Sequence, residues 1–423
     1  RCNCLSMMPL MADKPSSTFV VIAICATQVM TMMGLFTFPA LLPEFSEIWK
    51  LSNTEAGWIS GIVLGAYAIT VPVLVALTDR IDARLIHMAG TFLTTLSLAG
   101  FALFAEGFWS AFALRSLAGV ALAATYMPGL RMLVDRYQGG RQARMVAFYT
   151  ASFSLGSALS FYLAGVIGGA LGWQWAFGAA AIGAAGAFLV ILLVVKPSPP
   201  EEAADDTALM DFRPILRNRE VLGYIIAYGA HSWELFAMRA WLVAFLAFSL
   251  SLAPGSRGFW PSPTDVAAIG AVIAVFASIF GNEAAGRFGR RRVVSGYLLV
   301  SAIMASFLGF LAGAPYWALV LLTLLYAALI QLDSAALTAG AIEESEPGRR
   351  GATLGVHSFV GFMGAAAGPL AVGIVLDVSG GGGGGGGVIG GDAFTWGLGF
   401  IAMGLVGFMG PVALALLRGK ATG

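Results

Sequence analysis

Long apolar stretches with almost no charge fill this sequence. Twelve of them reach the roughly 20 residues that an α-helix needs to cross about 30 Å of hydrocarbon. They cover residues 18–43, 55–78, 87–107, 109–133, 143–171, 174–196, 221–250, 265–285, 293–313, 315–342, 351–377 and 394–417. Backbone polar groups in lipid must bond within their own segment, so the sequence predicts an all-α membrane protein with 12 transmembrane helices.

The amino-acid composition also indicates a protein embedded in the lipid bilayer. Only 11% of the residues are charged and 55 of 423 are glycine, whereas soluble domains carry roughly 25% charge. The net charge of +1 argues against a nucleic-acid partner. Three cysteines give no disulfide framework, and we expect no bound metal and no cofactor. No catalytic motif is found, so an enzyme is not expected.

The basic residues indicate how the chain crosses the membrane. Twenty of the 24 lysines and arginines fall in the two tails and in every second loop. Basic loops stay in the cytoplasm. The sequence therefore predicts a multi-pass protein of the cytoplasmic (inner) membrane with cytoplasmic N- and C-termini.

The chain reads as two related halves. Residues 1–17 form a predicted cytoplasmic tail, 18–196 and 221–417 two six-helix bundles, 197–220 a cytoplasmic linker rich in proline and acid, and 418–423 a second tail. A shift of 208 positions matches Gly140, Gly156 and Gly165 with Gly348, Gly364 and Gly373. Ser52 and Ser262 both precede helix-capping patterns. The run Gly380–Gly387 is interpreted as a flexible loop.

Several motifs carry a family resemblance. The segment VALTDRIDAR from Val75 to Arg84, GNEAAGRFGRRR from Gly281 to Arg292, and Arg115-x-x-x-Gly119 stand in the order and spacing of motifs of the major facilitator superfamily. The chain resembles this superfamily over residues 18–417. The resemblance implies two pseudo-symmetric six-helix bundles that alternate access to a site between them.

The resemblance also implies a gate in the loops that follow spans 2 and 8. The predicted cytoplasmic gate residues are Asp79, Arg80, Arg84, Glu283, Arg287, Arg290 and Arg291. Opposite charges there are expected to pair across the halves in the outward-facing state. The alternative is that these residues only fix the topology.

Charged and polar residues inside the spans are the predicted substrate and proton site, because such groups are costly in a membrane. In the resembled family, helices 1, 4, 7 and 10 line the cavity. The candidates are Gln28, Arg115, Tyr126, Tyr228, His231, Glu234, Arg239, Asp333 and His357. On span 7 the polar residues share one arc of roughly 140°. The alternative is structural, with the two arginines neutralising the two acids.

A secondary transporter is the predicted function. We expect a monomer that moves a small polar or anionic solute by alternating access. Proton-coupled symport is one interpretation of how this transport is driven. A drug or metabolite exporter is an alternative, although span 5 lacks the Gly-Pro pair of the family's antiporters. A non-transporting receptor or assembly factor of the same fold is the third interpretation.

Overall fold

The computed structural model describes residues 17–136, 140–198, 212–252, 261–346, 349–380 and 391–418, and for residues 17 and 140–143 the backbone alone. Most of the first tail, the middle of the predicted linker and nearly all of the glycine run lie outside the described residues. The described chain is built from α-helices. The helices of the first half are α1 Ser17–Met32, α2 Thr37–Ala40, α3 Leu42–Trp49, α4 Asn53–Leu77, α5 Ala83–Phe104, α6 Phe108–Val134, α7 Gly140–Leu171 and α8 Trp173–Val194.

The second half follows a short linker helix, α9 Arg213–Arg217. Its helices are α10 Arg219–Leu252, α11 Pro263–Phe288, α12 Arg290–Leu308, α13 Tyr316–Leu329, α14 Ser334–Glu343, α15 Arg350–Ser379, α16 Ala393–Gly407 and α17 Met409–Leu416. Within the described residues, eleven helical segments are long and apolar enough to cross a membrane. The shorter apolar helix Thr18–Met32 adds the first of the twelve predicted segments.

Three predicted spans are interrupted rather than continuous. The first breaks after Met32 and resumes as α2 and α3, the tenth breaks between α13 and α14, and the twelfth breaks at Phe408. A break inside a membrane protein leaves backbone carbonyl groups without their helical partners, so other groups of the protein must bond them. The sequence analysis missed these breaks because the broken segments are as apolar as the intact ones.

Paired helix caps begin the second span of each half. The Ser52 side chain accepts from the backbone of Glu55 and the Glu55 carboxylate accepts from Ser52, which is a capping box. Ser262 and Asp265 repeat the arrangement at the start of α11. The capping predicted from the sequence is confirmed, and it supports the duplication of the two halves.

The halves meet along two helix pairs, α4 with α15 and α7 with α11. On the first seam a side chain at Gly57 or Gly61 would collide with the carbonyl oxygens of Pro369 or Ala366. Small residues let membrane helices approach closely. The predicted fold of two six-helix bundles is confirmed, and four glycines of the repeat, Gly156, Gly165, Gly364 and Gly373, lie in close contact with another helix or its first residues.

The two ends of the molecule differ. At the end that holds Asn53 and Asp377, which we call the closed end, hydrogen bonds and the packed seams join the two halves. At the opposite end, which we call the arginine-rich end, Arg131 and Arg290 bind carboxylates of their own half. Among the described residues, the side-chain hydrogen bonds between the halves therefore lie at the closed end, whereas the ion pairs of the arginine-rich end lie within each half.

Candidate functional site

A buried contact between a histidine and a carboxyl group lies at the break of the tenth span. His231 Nδ1 of α10 is 2.7 Å from Asp333 Oδ1, and both side chains are 2% exposed. The two atoms are close but are not aligned as a hydrogen bond. Asp333 stands where α14 begins, since the chain leaves the helical path just before it. The break thus turns a carboxylate towards a histidine.

Aromatic stacking extends this pair. The Tyr228 ring stacks on His357 with 3.9 Å between ring centroids and also lies over His231 at 5.8 Å. His357 Nε2 is 3.1 Å from Thr338 Oγ1. We call Tyr228, His231, Asp333, Thr338 and His357 the histidine cluster. It joins α10, α14 and α15, so three of the predicted site residues besides Asp333 are brought together.

A tyrosine of the first half contacts the second half. Tyr67 of α4 packs on Phe362 of α15 with 4.2 Å between ring centroids. The Tyr67 hydroxyl is buried without a hydrogen-bond partner among the described residues. The sequence analysis missed Tyr67, although a phenol in the middle of an apolar span is a usable signal.

A second polar group belongs to the first half. The Tyr149 hydroxyl donates to Gln28 Oε1 at 2.7 Å and lies 2.8 Å from the Tyr126 carbonyl oxygen. His87 Nδ1 is 2.9 Å from the Thr125 carbonyl oxygen. These contacts place the predicted residues Gln28 and Tyr126 together. Tyr149 and His87 were not predicted, because the resemblance directed attention to spans 1, 4, 7 and 10.

Glu234 occupies a different environment. Its carboxylate accepts from Ser301 Oγ at 2.5 Å and from the Tyr326 hydroxyl at 2.9 Å. A side chain at Gly407 would come within 2.8 Å of its second oxygen. Glu234 therefore faces α12, α13 and α16 inside the second half, away from the first half.

Arg115 holds the break of the first span. The guanidinium donates to the Leu35 carbonyl oxygen at 2.9 Å, and lies 3.5 Å from those of Gly34 and Ile59. The residue is 3% exposed. A charged donor thus bonds carbonyl groups that the interrupted helix leaves free.

Arg239 bridges the halves through aromatic rings. Its guanidinium carbon is 5.5 Å from the ring centroids of Phe36, in the break of the first span, and of Phe236. Rings at this distance attract a cation. Arg115 and Arg239 thus approach the same break from different halves.

Two interpretations of the span charges need correction. Among the described residues neither Arg115 nor Arg239 has a carboxylate within 4.0 Å, so the alternative in which they pair with Glu234 and Asp333 is not seen in this structure. The polar arc of α10 also does not face one cavity. Because α10 is packed on nearly all sides, His231, Glu234 and Arg239 reach three different environments.

An open cleft lies between α1, α7 and α11. It has a volume of about 880 Å³, and its wall is mostly apolar, with Thr18, Cys25, Ser152 and Arg144 as its polar members. The remaining lining residues are Val21, Ile22, Ala26, Val29, Met145, Phe148, Ala151, Leu155, Val272, Val275 and Phe276. None of the predicted substrate residues lines this cleft. The basic residue Arg144 at the start of span 5 is the sequence feature that could have indicated this cleft.

The gate residues pair within their own halves. Asp79 Oδ1 is 3.1 Å from Arg131, which also binds Asp135 at 2.7 Å. Arg290 binds Glu343 at 2.7 Å, and Arg291 binds Glu220 at 3.0 Å. The expected pairing between the two loops is not seen in this state.

The other gate residues make weaker contacts. Arg84 donates to the Leu192 carbonyl oxygen at 2.9 Å. Arg287 lies 5.5 Å from the Phe288 ring, and Arg80 and Glu283 are exposed. The proposed gating role of all these residues stays a prediction.

Helix pairing changes the partner expected for Asp79. Asp79 follows α4, which packs against α15, whereas Arg290 follows α11, which packs against α7. Closing the arginine-rich end would therefore bring Asp79 towards the start of α15 at Arg350. A carboxylate near a helix N-terminus is stabilised there.

We expect Asp79→Asn to shift the population towards the state seen here. In the state seen here Arg131 keeps Asp135 as its partner, whereas the state closed at the arginine-rich end would lose the contact of Asp79 with the start of α15. Loss of such a partly exposed charge contact changes the equilibrium by about 1 kcal/mol, or about fivefold. Disulfide crosslinking between Ile81→Cys and Gly351→Cys measures closure of the arginine-rich end, and Gly351 has room for a side chain. Asp135→Asn is the control, since Asp135 also binds Arg131. Undiminished crosslinking in Asp79→Asn would leave Asp79 as a topology or packing residue.

The fold and the motifs of the chain agree with a known protein family. The family model of the Major Facilitator Superfamily matches residues 24–259. The chain belongs to the Major Facilitator Superfamily. The match covers nearly all of the first half and the start of the second, and the repeated helices of the second half complete the superfamily fold.

Relatives and solved structures agree on the fold. The chain is 23% identical to Protein spinster homolog 3 of Danio rerio over 55% of this chain and 48% of that protein. It is 23% identical to Protein spinster of Drosophila melanogaster over 71% of this chain and 50% of that protein. The chain thus spans about half the length of the curated relatives it matches. A bacterial homologue of the human lysosomal transporter Spinster, inward-facing and unoccupied, superposes with a TM-score of 0.73 at 15% identity, over 96% of both chains.

A second superfamily structure is similar to the same degree. The nucleoside transporter NupG superposes with a TM-score of 0.72 at 12% identity, covering 94% of this chain and 100% of that one. At these identities the similarity defines the fold and not the substrate.

Proposed function

We propose that this chain is a secondary transporter that moves an amphiphilic anion by alternating access. The cleft between α1, α7 and α11 carries the proposal, since Thr18 and Arg144 line it towards the arginine-rich end while Asp377 joins the halves at the closed end. A site reached from one end of a two-half bundle is what alternating access requires. The curated relatives are longer than this chain, so the activity is inferred from the chain's own cleft.

The chemistry of the cleft supports an amphiphile over a small polar solute. Apolar side chains dominate its wall, and Arg144 is its one charged member. Such a wall binds a hydrocarbon chain, and an arginine at the end binds a phosphate or carboxylate head. One relative, with 21% identity over 52% of this chain and 45% of that protein, is the sphingosine-1-phosphate transporter SPNS2 of Danio rerio. The proposal narrows the sequence-based prediction of a polar or anionic solute.

The proposed orientation places the arginine-rich end in the cytoplasm. Lys and Arg remain on that side during insertion. The present state is then inward-facing. We propose the inner membrane and a monomer, as the sequence analysis expected, with the substrate and the lipid bilayer as partners.

Proton coupling is proposed for the histidine cluster. His231 and Asp333 are buried together at a helix break, and the Tyr228 ring lies over His231. Protonation of either partner changes the charge of the pair inside the membrane span. A buried ionisable pair in a span has this role in many transporters.

Cys25 gives a direct test of the cleft. In a protein with Cys2 and Cys4 replaced by serine, Cys25 remains as the only thiol, and it lines the cleft. We expect saturating sphingosine-1-phosphate to slow maleimide labelling of Cys25 by about fivefold or more, because a bound tail covers the thiol. Inorganic phosphate and uridine should leave the labelling rate unchanged.

A second cysteine serves as the control. Gly169→Cys, on α7 at the closed end, has open space around it and lies outside the cleft. Its labelling should be insensitive to every ligand. Protection of Cys25 by uridine or phosphate alone would favour a small polar solute. The absence of protection by any of the three would refute a substrate role for the cleft.

A further inference from the structure

Asp377 joins the two halves at the closed end. It lies near the end of α15, and its carboxylate accepts four hydrogen bonds from the first turn of α4. Oδ1 accepts from the Asn53 backbone and side-chain amides at 3.0 and 2.8 Å. Oδ2 accepts from the Thr54 backbone amide at 2.8 Å and its hydroxyl at 2.6 Å.

These contacts complete the first turn of α4. The first N–H groups of a helix have no partner within it. Ser52 already bonds Glu55 and Ala56 through its side chain and its carbonyl group. Asp377 supplies acceptors for the remaining two, those of Asn53 and Thr54. One helix of the first half is therefore capped in part by an acid of the second half.

Close packing fixes the geometry. Any side chain at Gly373, one turn before Asp377, would collide with the carbonyl oxygen of Asn53. The same approach continues at Gly57 opposite Pro369. Because the backbones of α4 and α15 touch, the carboxylate reaches the α4 amides directly. These hydrogen bonds are lost if α4 and α15 separate.

The duplicated helix pair lacks this contact. Within α7, the position that the 208-residue repeat relates to Asp377 is Gly169, which has no side chain and open space around it. At the start of α11, Pro263 stands where α4 has Asn53, and proline has no N–H to donate. The α7–α11 seam packs instead through Gly165 against Thr264. The contact is therefore a feature of one seam rather than of the fold.

We propose that Asp377 is a latch that holds the closed end shut by capping α4 across the two halves. Opening this end separates α4 from α15 and breaks all four hydrogen bonds at once, while the capping box of Ser52 and Glu55 stays within its own half. The latch stabilises the state sealed at this end relative to the state open there. Asp377 acts as a positioning residue for the cycle, which rests on the proposed transport function.

Distances across the closed end test the latch without substrate or transport. Spin labels at Trp109→Cys on α6 and Trp317→Cys on α13 lie on exposed positions of different halves at this end. In full-length protein lacking the native cysteines, double electron–electron resonance gives the populations of short and long distances between the two labels. We expect Asp377→Ala to raise the ratio of open to closed by about tenfold or more, equivalent to about 1.4 kcal/mol. Asp377→Asn should lie between it and the parent, because one oxygen remains as an acceptor.

Asp392→Asn is the matched control. Asp392 caps α16 at the same end through the Thr395 amide at 2.8 Å, but within one half. Its variant should leave the distances unchanged. Asn53→Asp sets a second carboxylate against Asp377 and should open this end even where Asp377→Ala does not fold.

A ratio of open to closed populations within about twofold of the parent's, in both Asp377→Asn and Asn53→Asp, would overturn the latch. That result would leave the transport proposal intact, since the labelling of Cys25 tests it separately.

Discussion

Asp333→Asn is expected to abolish proton-driven accumulation of substrate while retaining substrate exchange. Asparagine keeps the shape of the side chain but removes the charge that faces His231 at 2.7 Å. If the pair carries the proton, gradient-driven uptake into proteoliposomes should fall by about tenfold or more, and counterflow exchange should stay within about twofold of the parent. Substrate loaded on both sides of the membrane separates the two measurements.

Glu234→Gln is the matched comparison for this experiment. The sequence analysis includes both Glu234 and Asp333 in the predicted substrate and proton site. The structure encloses Glu234 within the second half on Ser301 and Tyr326, whereas Asp333 lies beside His231 at the break of the tenth span. We expect Glu234→Gln to retain gradient-driven uptake. Normal accumulation in Asp333→Asn would remove the histidine cluster from coupling, and loss in Glu234→Gln alone would transfer the role to Glu234.

Arg115→Ala is expected to destabilise the fold, whereas Arg239→Ala is expected to fold with a melting temperature close to that of the parent. Arg115 donates to carbonyl groups of the first-span break, and a buried acceptor left without a donor costs about 2 kcal/mol. Arg239 contacts the rings of Phe36 and Phe236, so its removal leaves no backbone acceptor unbonded. Because Arg239 lies outside the cleft, ligand binding to Arg239→Ala separates the anion site predicted from the sequence at Arg239 from the head-binding role proposed for Arg144.

Thermal unfolding monitored by tryptophan fluorescence, together with ligand binding, distinguishes the two arginines. Arg115→Lys keeps the charge but offers fewer donors in a different geometry, so it should recover only part of the stability. Equal melting temperatures for the parent and Arg115→Ala would mean that the break does not depend on this residue. Unchanged affinity in both Arg239→Ala and Arg239→Lys would end the anion-binding role of Arg239.

The sequence alone determined the class of protein and its architecture. Each apolar stretch is long enough to satisfy its backbone within one helix, so the spans follow from length and hydropathy. Local signals were equally direct, since the capping residues around Ser52 and Ser262 act within one turn. The motifs around Asp79 and Arg115 indicated the family, which the match over residues 24–259 confirmed.

Only the tertiary structure decided which polar residues meet. Helical periodicity placed His231, Glu234 and Arg239 on one arc, but the helices packed around α10 separate them into three environments. Partners such as Tyr67, Ser301 and Asp377 come from segments far away in the chain, and no local pattern connects them. Apolarity predicts that a segment lies in the membrane, whereas a break in it depends on donors that other helices bring, as Arg115 does for the first span.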